Sequence, residues 1–271
     1  MNVMITGAAG GLGRALAGEC ARRGYELFLT DINAGGLERI RDGLKRRFDT
    51  VVRVRACDLT DERDVDAMLA ETDAANIRFD MLLNVAGIDY EGGFMKRGRE
   101  TVVKIVTLNN AATLRITHAV LERRRENAHF TALFVSSLAS MFPMPLKATY
   151  AASKRFLFDF ALALRQELKE QNASVTVLCP GGLATTAEAM DGIAAQGFWG
   201  NATTNRLEAV ARNVIAKALR GQAVYIPGGL NRALAFLGKV VPRAVVTSVV
   251  YSRFRGAQKK WLETGEGSPA A

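Results

Sequence analysis

Short apolar runs alternate with longer segments of helical periodicity along most of this 271-residue chain. Runs that are apolar nearly throughout are typical of parallel strands buried on both faces of a sheet. Right-handed crossovers then place helices on both sides. The alternation predicts an α/β fold, a doubly wound parallel sheet of about seven strands. The predicted strands are 2–5, 26–30, 51–56, 81–85, 131–136, 174–179 and 223–226.

Helical periodicity is clearest at 12–23, 62–74 and 156–170. In the last segment, apolar residues recur at steps of three and four, as on a buried helix face: Leu157, Phe160, Leu164 and Leu168. Doubly wound sheets bind ligands at the carboxyl ends of their strands. Residues that directly follow strands are therefore the functional candidates.

The chain's size and its 49% hydrophobic content predict one large core. We expect one α/β domain over 1–227, a helical extension over 228–262 packed on that domain, and a flexible tail at 263–271. We read no secretory signal before the first strand, which predicts a cytoplasmic location. The scattered Cys20, Cys57 and Cys179 predict neither a disulfide framework nor a zinc site, but buried thiols.

A glycine-rich segment joins the first predicted strand to the first predicted helix. Glycines permit a tight turn and close approach of backbone amides to a pyrophosphate, and the helix N-terminus adds partial positive charge. A purely structural turn is the alternative. A nucleotide triphosphatase loop is disfavoured because Arg14, not Lys, follows the last glycine. The segment is Thr6, Gly7, Ala8, Ala9, Gly10, Gly11, Leu12 and Gly13.

The second strand ends at Asp31, 18 residues after Gly13. A carboxylate there can accept hydrogen bonds from both hydroxyls of an adenosine ribose, and it would repel a 2′-phosphate. This favours NAD over NADP. Arg14 keeps NADP as the minority alternative.

Tyr150 and Lys154 are four residues apart, a spacing that points both side chains the same way on a helix. A phenol beside an ammonium can act as an acid, since the cation stabilises the phenolate. Alone, this spacing also occurs on solvated helix faces.

Taken in order along the chain, these motifs resemble the classical short-chain dehydrogenase/reductase family from Val3 to about Ile226. The resemblance implies a single-domain Rossmann-type fold. One departure is Val85, where the family usually has Asn. The resemblance rests on Thr6 to Gly13, Asp58-Leu59, Asn84-Val85-Ala86-Gly87, Asn109, Ser137, Tyr150, Lys154, Pro180-Gly181 and Thr185.

The resemblance also implies cofactor contacts. Asp58, with Leu59 beside it, should meet the adenine amino group, although Asp58 could instead cap a turn. Asn84, Ala86 and Gly87 should line the cofactor cleft. The nicotinamide end should be held by Pro180, Gly182 and Thr185, a segment that could also be a plain loop.

For catalysis, the resemblance implies hydride transfer between a nicotinamide and a secondary alcohol or ketone. Tyr150 should exchange a proton with the substrate oxygen. Lys154 should lower the pKa of the phenol and bind the nicotinamide ribose. No metal is needed, and His118 and His129 lie outside the motifs.

Two further catalytic candidates have adjacent alternatives. Ser137, 13 residues before Tyr150, should orient the substrate oxygen, and Ser136 is the weaker choice. Asn109, 22 residues after Gly87, should hold a water that links Lys154 to solvent, and its neighbour Asn110 is the alternative.

Substrate identity depends on a predicted lid at about 186–204. Its apolar residues could cover a lipophilic or hydroxysteroid-like substrate, or could pack on their own core: Met190, Ile193, Phe198 and Trp199. A 3-oxoacyl thioester reductase and a non-catalytic NAD(P)-sensing regulator are the alternatives to an alcohol–ketone oxidoreductase.

The net charge of +9 comes mostly from the end of the chain, because 230–262 holds seven basic and no acidic residues. We expect this extension to pack on the domain. Peripheral contact with an anionic membrane is the less favoured alternative, and no specific nucleic-acid site is predicted. The family resemblance implies a homodimer, with a tetramer as the alternative.

Overall fold

Seven parallel strands form one sheet in the order β3-β2-β1-β4-β5-β6-β7. The structure is a computed structural model and describes residues 1–90, 92–184 and 202–252. Every predicted strand is present, and each boundary lies within one residue of its prediction, which confirms the doubly wound α/β fold. The strands are β1 (Asn2–Thr6), β2 (Glu26–Asp31), β3 (Val52–Ala56), β4 (Met81–Asn84), β5 (Phe130–Val135), β6 (Ala173–Leu178) and β7 (Val224–Tyr225).

Helices connect the strands. They are α1 (Gly11–Arg22), α2 (Ala34–Arg47), α3 (Glu62–Ala74), α4 (Arg99–Val106), α5 (Thr113–Glu122), α6 (Ala148–Glu167), α7 (Leu207–Leu219) and α8 (Gly229–Val240). A π-helical turn, Thr107–Ala112, joins α4 to α5. The predicted helix at 156–170 in fact begins eight residues earlier, at Ala148, and ends at Glu167. Its apolar stripe starts only at Leu157, so periodicity alone could not reveal its polar first turns.

Two hydrophobic clusters cover the two faces of the sheet. Neighbouring residues of a strand point to opposite faces, so Met4 belongs to one cluster and Ile5 to the other. Helices complete each cluster. Residues of α3, α5 and α6 pack with Met4, including Val65, Ile116 and Phe158. Residues of α1, α2 and α7 pack with Ile5, including Leu16, Leu37 and Val214.

The strand order reverses at β1. Thr6 at its carboxyl end is paired with Thr30 of β2 on one side and Asn84 of β4 on the other. The chain winds outward in both directions from this point, which leaves a crevice between the loops that follow β1 and β4. The glycine-rich segment and the segment 84–87 therefore face each other.

The extension after β7 is helical in its described part, in α8 and again from 243 to 252. None of the helices within the described ranges is long and apolar enough to span a bilayer. Cys20, Cys57 and Cys179 are free and buried, as expected. Thr185, lid residues 186–201 and the tail 263–271 lie outside the described residues.

Gly13 lies in α1 at a position that leaves no room for a side chain. A Cβ there would overlap the Gly7 carbonyl oxygen and lie 2.7 Å from the Ala8 Cα, and neither backbone atom can rotate away. Gly18 lies on the same helix, and a Cβ there would meet nothing within 4 Å.

We therefore expect Gly13→Ala to lower the free energy of unfolding by about 1–3 kcal/mol, the usual cost of forcing extra atoms into packed structure. Gly18→Ala is the matched control, and it should raise that free energy by roughly 0.5–1 kcal/mol because alanine favours a helix interior. Urea unfolding of both variants measures the difference. Equal effects would contradict the close packing of the loop.

Candidate functional site

The glycine-rich loop is held against the segment after β4 by hydrogen bonds to the Thr6 side chain and by close backbone packing at Gly7. The Thr6 hydroxyl oxygen accepts hydrogen bonds from the Val85 and Ala86 amides, at 3.1 and 3.2 Å. Gly7 has a φ of 64°, and a Cβ on it would lie 2.7 Å from the Ala86 Cα. Only glycine tolerates both the left-handed backbone and this approach.

The same loop leads into the start of α1. Gly10 is the N-cap residue and offers no side chain to the first-turn amides, while Gly11, Leu12 and Gly13 are buried. A backbone cradle of this kind, which side chains would fill, fits a dinucleotide pyrophosphate. Thr6, Ala9 and the glycines are the residues that would line it.

Asp31 lies beside this cradle at the end of β2. Its Oδ2 accepts a hydrogen bond from the Ala9 amide at 3.0 Å, and its Oδ1 accepts one from the Asn33 amide at 3.0 Å. The carboxylate thus fixes the glycine-rich loop, a role that sequence reasoning missed. A half-buried carboxylate retains lone pairs for ribose hydroxyls, and that contact stays a prediction.

Asp58 caps a turn, the role given above as the alternative to an adenine contact. Its Oδ1 accepts hydrogen bonds from the amide and the hydroxyl of Thr60, at 2.9 and 2.7 Å. Leu59 beside it is buried in the core. Both bonds use Oδ1, and the adenine contact of Asp58 stays a prediction.

The segment 84–87 connects the cradle to the candidate catalytic groups. Asn84 is buried and donates to the Thr117 hydroxyl at 3.0 Å, while its Oδ1 has no hydrogen-bond partner among the described residues. A Cβ at Gly87 would lie 2.9 Å from the Oδ1 of Asn109 and 3.2 Å from the Nζ of Lys154. Gly87 therefore permits both side chains to reach the cleft.

Asn109 is fully buried in the π-helical turn. Its Oδ1 accepts from the Ile88 amide at 2.8 Å, and its Nδ2 donates to the Ile88 carbonyl and the Ser153 hydroxyl, both at 3.0 Å. Asn110 donates to the Ser153 carbonyl at 2.9 Å. The Asn109 side chain is therefore engaged in these three hydrogen bonds, and the water-binding role of Asn109 stays a prediction.

Ser137 and Ser136 differ in what they contact. Ser137 forms a side-chain hydrogen bond with Tyr150 and accepts one from the Ala139 amide at 3.1 Å. Ser136 is buried and donates to the Lys154 carbonyl at 2.7 Å. The geometry thus places Ser137 beside the phenol and gives Ser136 a structural contact with α6.

Lys154 is buried beneath Tyr150. Its Nζ donates to the Val135 carbonyl at 2.9 Å and lies 5.8 Å from the centroid of the Tyr150 ring. Burial lowers the pKa of the Lys154 amine to about 8, while Asp89 and Cys179 act in the opposite direction. The amine therefore titrates below its ordinary range because charge is costly where water is excluded.

The pKa of the Tyr150 hydroxyl responds to burial and to the charges around it. Burial raises this pKa to about 12, and the Asp89 carboxylate acts in the same direction. The Lys147 ammonium and the hydrogen bond with Ser137 lower it. The lowering of the phenol pKa by Lys154 stays a prediction.

Asp89 and Lys147 form an ion pair at the edge of the site, and sequence reasoning missed both. The Lys147 Nζ lies 2.6 Å from the Asp89 Oδ2 and 5.6 Å from the centroid of the Tyr150 ring. Gly92 donates to the Leu146 carbonyl at 2.7 Å, and Leu146 has a left-handed φ of 71°. The two loops that flank Tyr150 are thus joined by a charged pair and a backbone hydrogen bond.

The predicted nicotinamide-end segment follows β6. The Pro180 carbonyl accepts from the Leu138 amide at 2.8 Å, and the Gly182 carbonyl accepts from the Asn205 amide at 2.9 Å. The first bond ties the segment to the Ser137 loop, and the second ties it to the loop before α7. His129 instead bonds Asn172 and Ser174, and His118 is exposed beside Glu122, so neither histidine joins the site.

The glycine-rich cradle and the Ser-Tyr-Lys group lie together at the carboxyl edge of a doubly wound sheet. This arrangement is typical of proteins that bind a dinucleotide. The sequence matches the short chain dehydrogenase family over residues 1–193. This chain belongs to the short-chain dehydrogenase family.

Curated relatives include the very-long-chain 3-oxoacyl-CoA reductases of Vanderwaltozyma polyspora and Bos taurus. Each is 28% identical, over 184 and 186 residues, or 65% and 67% of this chain. The match covers 53% and 59% of those two proteins, so the chain spans little more than half of their length.

Solved structures share the fold. An actinorhodin polyketide ketoreductase variant with NADPH superposes with a TM-score of 0.74 at 23% identity, covering 84% of this chain and 95% of that one. A 3-oxoacyl-[acyl-carrier protein] reductase with bound NAD from Brucella melitensis gives 0.71 at 24% identity, covering 84% and 89%.

The ion pair at the edge of the site predicts opposite effects of its two members on Tyr150. Asp89→Asn removes an anion that disfavours the phenolate, so the pKa of Tyr150 should fall from about 12. Lys147→Met removes a cation and should raise that pKa. Tyrosinate absorbance after rapid alkaline pH jumps, with the same titration of a Tyr150→Phe counterpart subtracted, measures both shifts.

Asp42→Asn removes an exposed carboxylate on α2 and serves as the control, with no shift expected. Shifts of the same sign for Asp89→Asn and Lys147→Met would contradict the electrostatic role of the pair.

Proposed function

We propose that this protein is an NAD(P)-dependent oxidoreductase that interconverts a secondary alcohol and a ketone. The observation that carries the proposal is the convergence of Ser137, Tyr150 and Lys154 at the carboxyl edge of the sheet, next to the loop after β4. Bound in the cradle, a nicotinamide dinucleotide would supply hydride acceptance or donation.

In the proposed reaction, Tyr150 exchanges the proton at the substrate oxygen. A pKa of about 12 keeps the phenol protonated at neutral pH, the form that can donate a proton to the substrate oxygen during reduction. The Ser137 hydroxyl, hydrogen-bonded to the phenol, orients the same oxygen. Lys154, at 5.8 Å from the Tyr150 ring, holds the ribose and supplies positive charge below its pKa of about 8.

Two substrate classes are supported by different observations. Relatives named very-long-chain 3-oxoacyl-CoA reductases support a 3-oxoacyl thioester. The apolar residues of the lid segment support a lipophilic or hydroxysteroid-like ketone, although they lie outside the described residues. A non-catalytic NAD(P) sensor is the alternative from another class, and the intact Ser-Tyr-Lys group argues against it.

We also propose that the protein acts in the cytoplasm as a homodimer.

The first test is turnover, followed as absorbance of the reduced nicotinamide with 3-oxoacyl thioesters, hydroxysteroids, simple alcohols and ketones. Tyr150→Phe should lower kcat by roughly 10²–10⁴-fold, the usual worth of a positioned acid. Tyr25→Phe is the matched control, because Tyr25 precedes β2 at the opposite end of the sheet, and its activity should match the parent. Cofactor binding by calorimetry without any turnover would favour the sensor instead.

Asp31 supports NAD as the preferred cofactor, with NADP as the alternative. Asp31→Asn keeps one acceptor oxygen but removes the charge, so selectivity for NAD over NADP should fall roughly tenfold or more, since charges about 4 Å apart interact by ~1 kcal/mol in water and ~4 kcal/mol near a protein surface. The ratio of kcat/KM, or of Kd, for the two cofactors measures it. Asp42→Asn should leave the ratio unchanged, and a parent protein that already prefers NADP would overturn the role given to Asp31.

A further inference from the structure

The helix α8 has a buried inner face. Asn231 and Ala235 are 1% and 3% exposed. At Gly238, a Cβ would lie 2.9 Å from a ring carbon of Phe142 and 3.3 Å from the Met141 carbonyl oxygen. The helix is thus packed closely against the segment that follows Ser137.

The outer face of the extension is apolar and exposed. Of the fifteen large apolar side chains exposed in the described ranges, six lie between 236 and 251, which marks this stretch as distinct from the rest of the surface. They recur at helical spacing within α8 and the helical residues 243–252. The six are Phe236, Leu237, Val240, Val245, Val249 and Tyr251, and we call them the outer apolar face.

The charges around this face have one sign. Arg232 and Arg243 are exposed on either side of the α8 part of the face, and residues 229–252 contain no acidic residue. The sequence continues with four more basic residues and no acidic one up to 262: Arg253, Arg255, Lys259 and Lys260. A second copy of this chain would bring like charges together, whereas an anionic surface complements them.

We propose that the outer apolar face, with Arg232 and Arg243, binds the surface of an anionic phospholipid membrane. Its apolar side chains would enter the boundary between headgroups and acyl chains, and the arginines would meet the lipid phosphates. Binding is peripheral, since no helix of the described chain is long and apolar enough to cross the bilayer. Because the inner face packs on the Ser137 segment, the candidate site would lie close to the lipid.

The test is co-sedimentation of the full chain with vesicles of phosphatidylcholine alone or with phosphatidylserine. We expect binding to the anionic vesicles that weakens as salt rises. Phe236→Ser with Val240→Ser should lower the partition coefficient tenfold or more. Arg232→Glu with Arg243→Glu should do the same, because each basic residue near the surface is worth roughly fivefold.

Two matched controls exclude general effects. Val103→Ser on α4 replaces a valine as exposed as Val240, at 56% against 62%. Lys45→Glu with Arg46→Glu on α2 makes the same change in net charge as the arginine pair. Both should bind vesicles like the parent, and equal losses in the controls would overturn the proposal.

Three further results would overturn it. The first is no vesicle binding at low salt. The second is self-association of the parent, seen by analytical ultracentrifugation without vesicle binding and lost in Phe236→Ser with Val240→Ser, which would assign the face to a second copy. The third is a lowered Tm of that variant without vesicle binding, which would mean that another part of the chain covers the face.

Discussion

The site depends on one contact, the close approach of the glycine-rich loop to the segment after β4. Parallel pairing brings Thr6 and Asn84 side by side, and the Thr6 hydroxyl then accepts two amides of the next loop. Gly7 allows the backbones to come this close. Gly87, three residues past Asn84, allows Asn109 and Lys154 to approach from two different helices. The contact therefore joins the cradle to the catalytic candidates, and the side-chain hydrogen bonds of Asn84 and Asn109 add to it.

Burial determines the electrostatics within this frame. Lys154 and Tyr150 both move toward their neutral forms, with pKa values of about 8 and about 12. Desolvation is the largest cause of both shifts, and the phenol remains protonated at neutral pH. In the Asp89–Lys147 pair, the carboxylate raises the pKa of Tyr150 and the ammonium lowers it. The charges that act on the phenol therefore include this pair at the edge of the site.

The strands could be predicted to within one residue because strands buried on both faces leave an apolar run in the sequence. The motifs that follow them could be placed for the same reason. The Asp89–Lys147 pair could not, since its members are 58 residues apart and meet only through folding of two loops. The bond from Ala9 to Asp31 also depends on loop geometry. Hydrophobic periodicity placed the start of α6 eight residues too late, because its first turns carry no apolar stripe. Only the spacing of Tyr150 and Lys154 pointed to a helix there.

The C-terminal extension packs on the α/β domain through α8. The Asn231 Nδ2 lies within hydrogen-bond distance of the Pro227 and Thr203 carbonyls and of the Asn205 Oδ1. Its buried side chain also lies against Gly181, where a Cβ would be 2.7 Å from Nδ2. One amide thus holds together the start of α8, the loop before α7 and the segment that follows β6. Gly238 adds a second close contact, because a Cβ there would lie 2.9 Å from a ring carbon of Phe142. Asn231 and Gly238 therefore fix α8 against the loop before α7 and against the segment that follows Ser137, at the density typical of protein interiors.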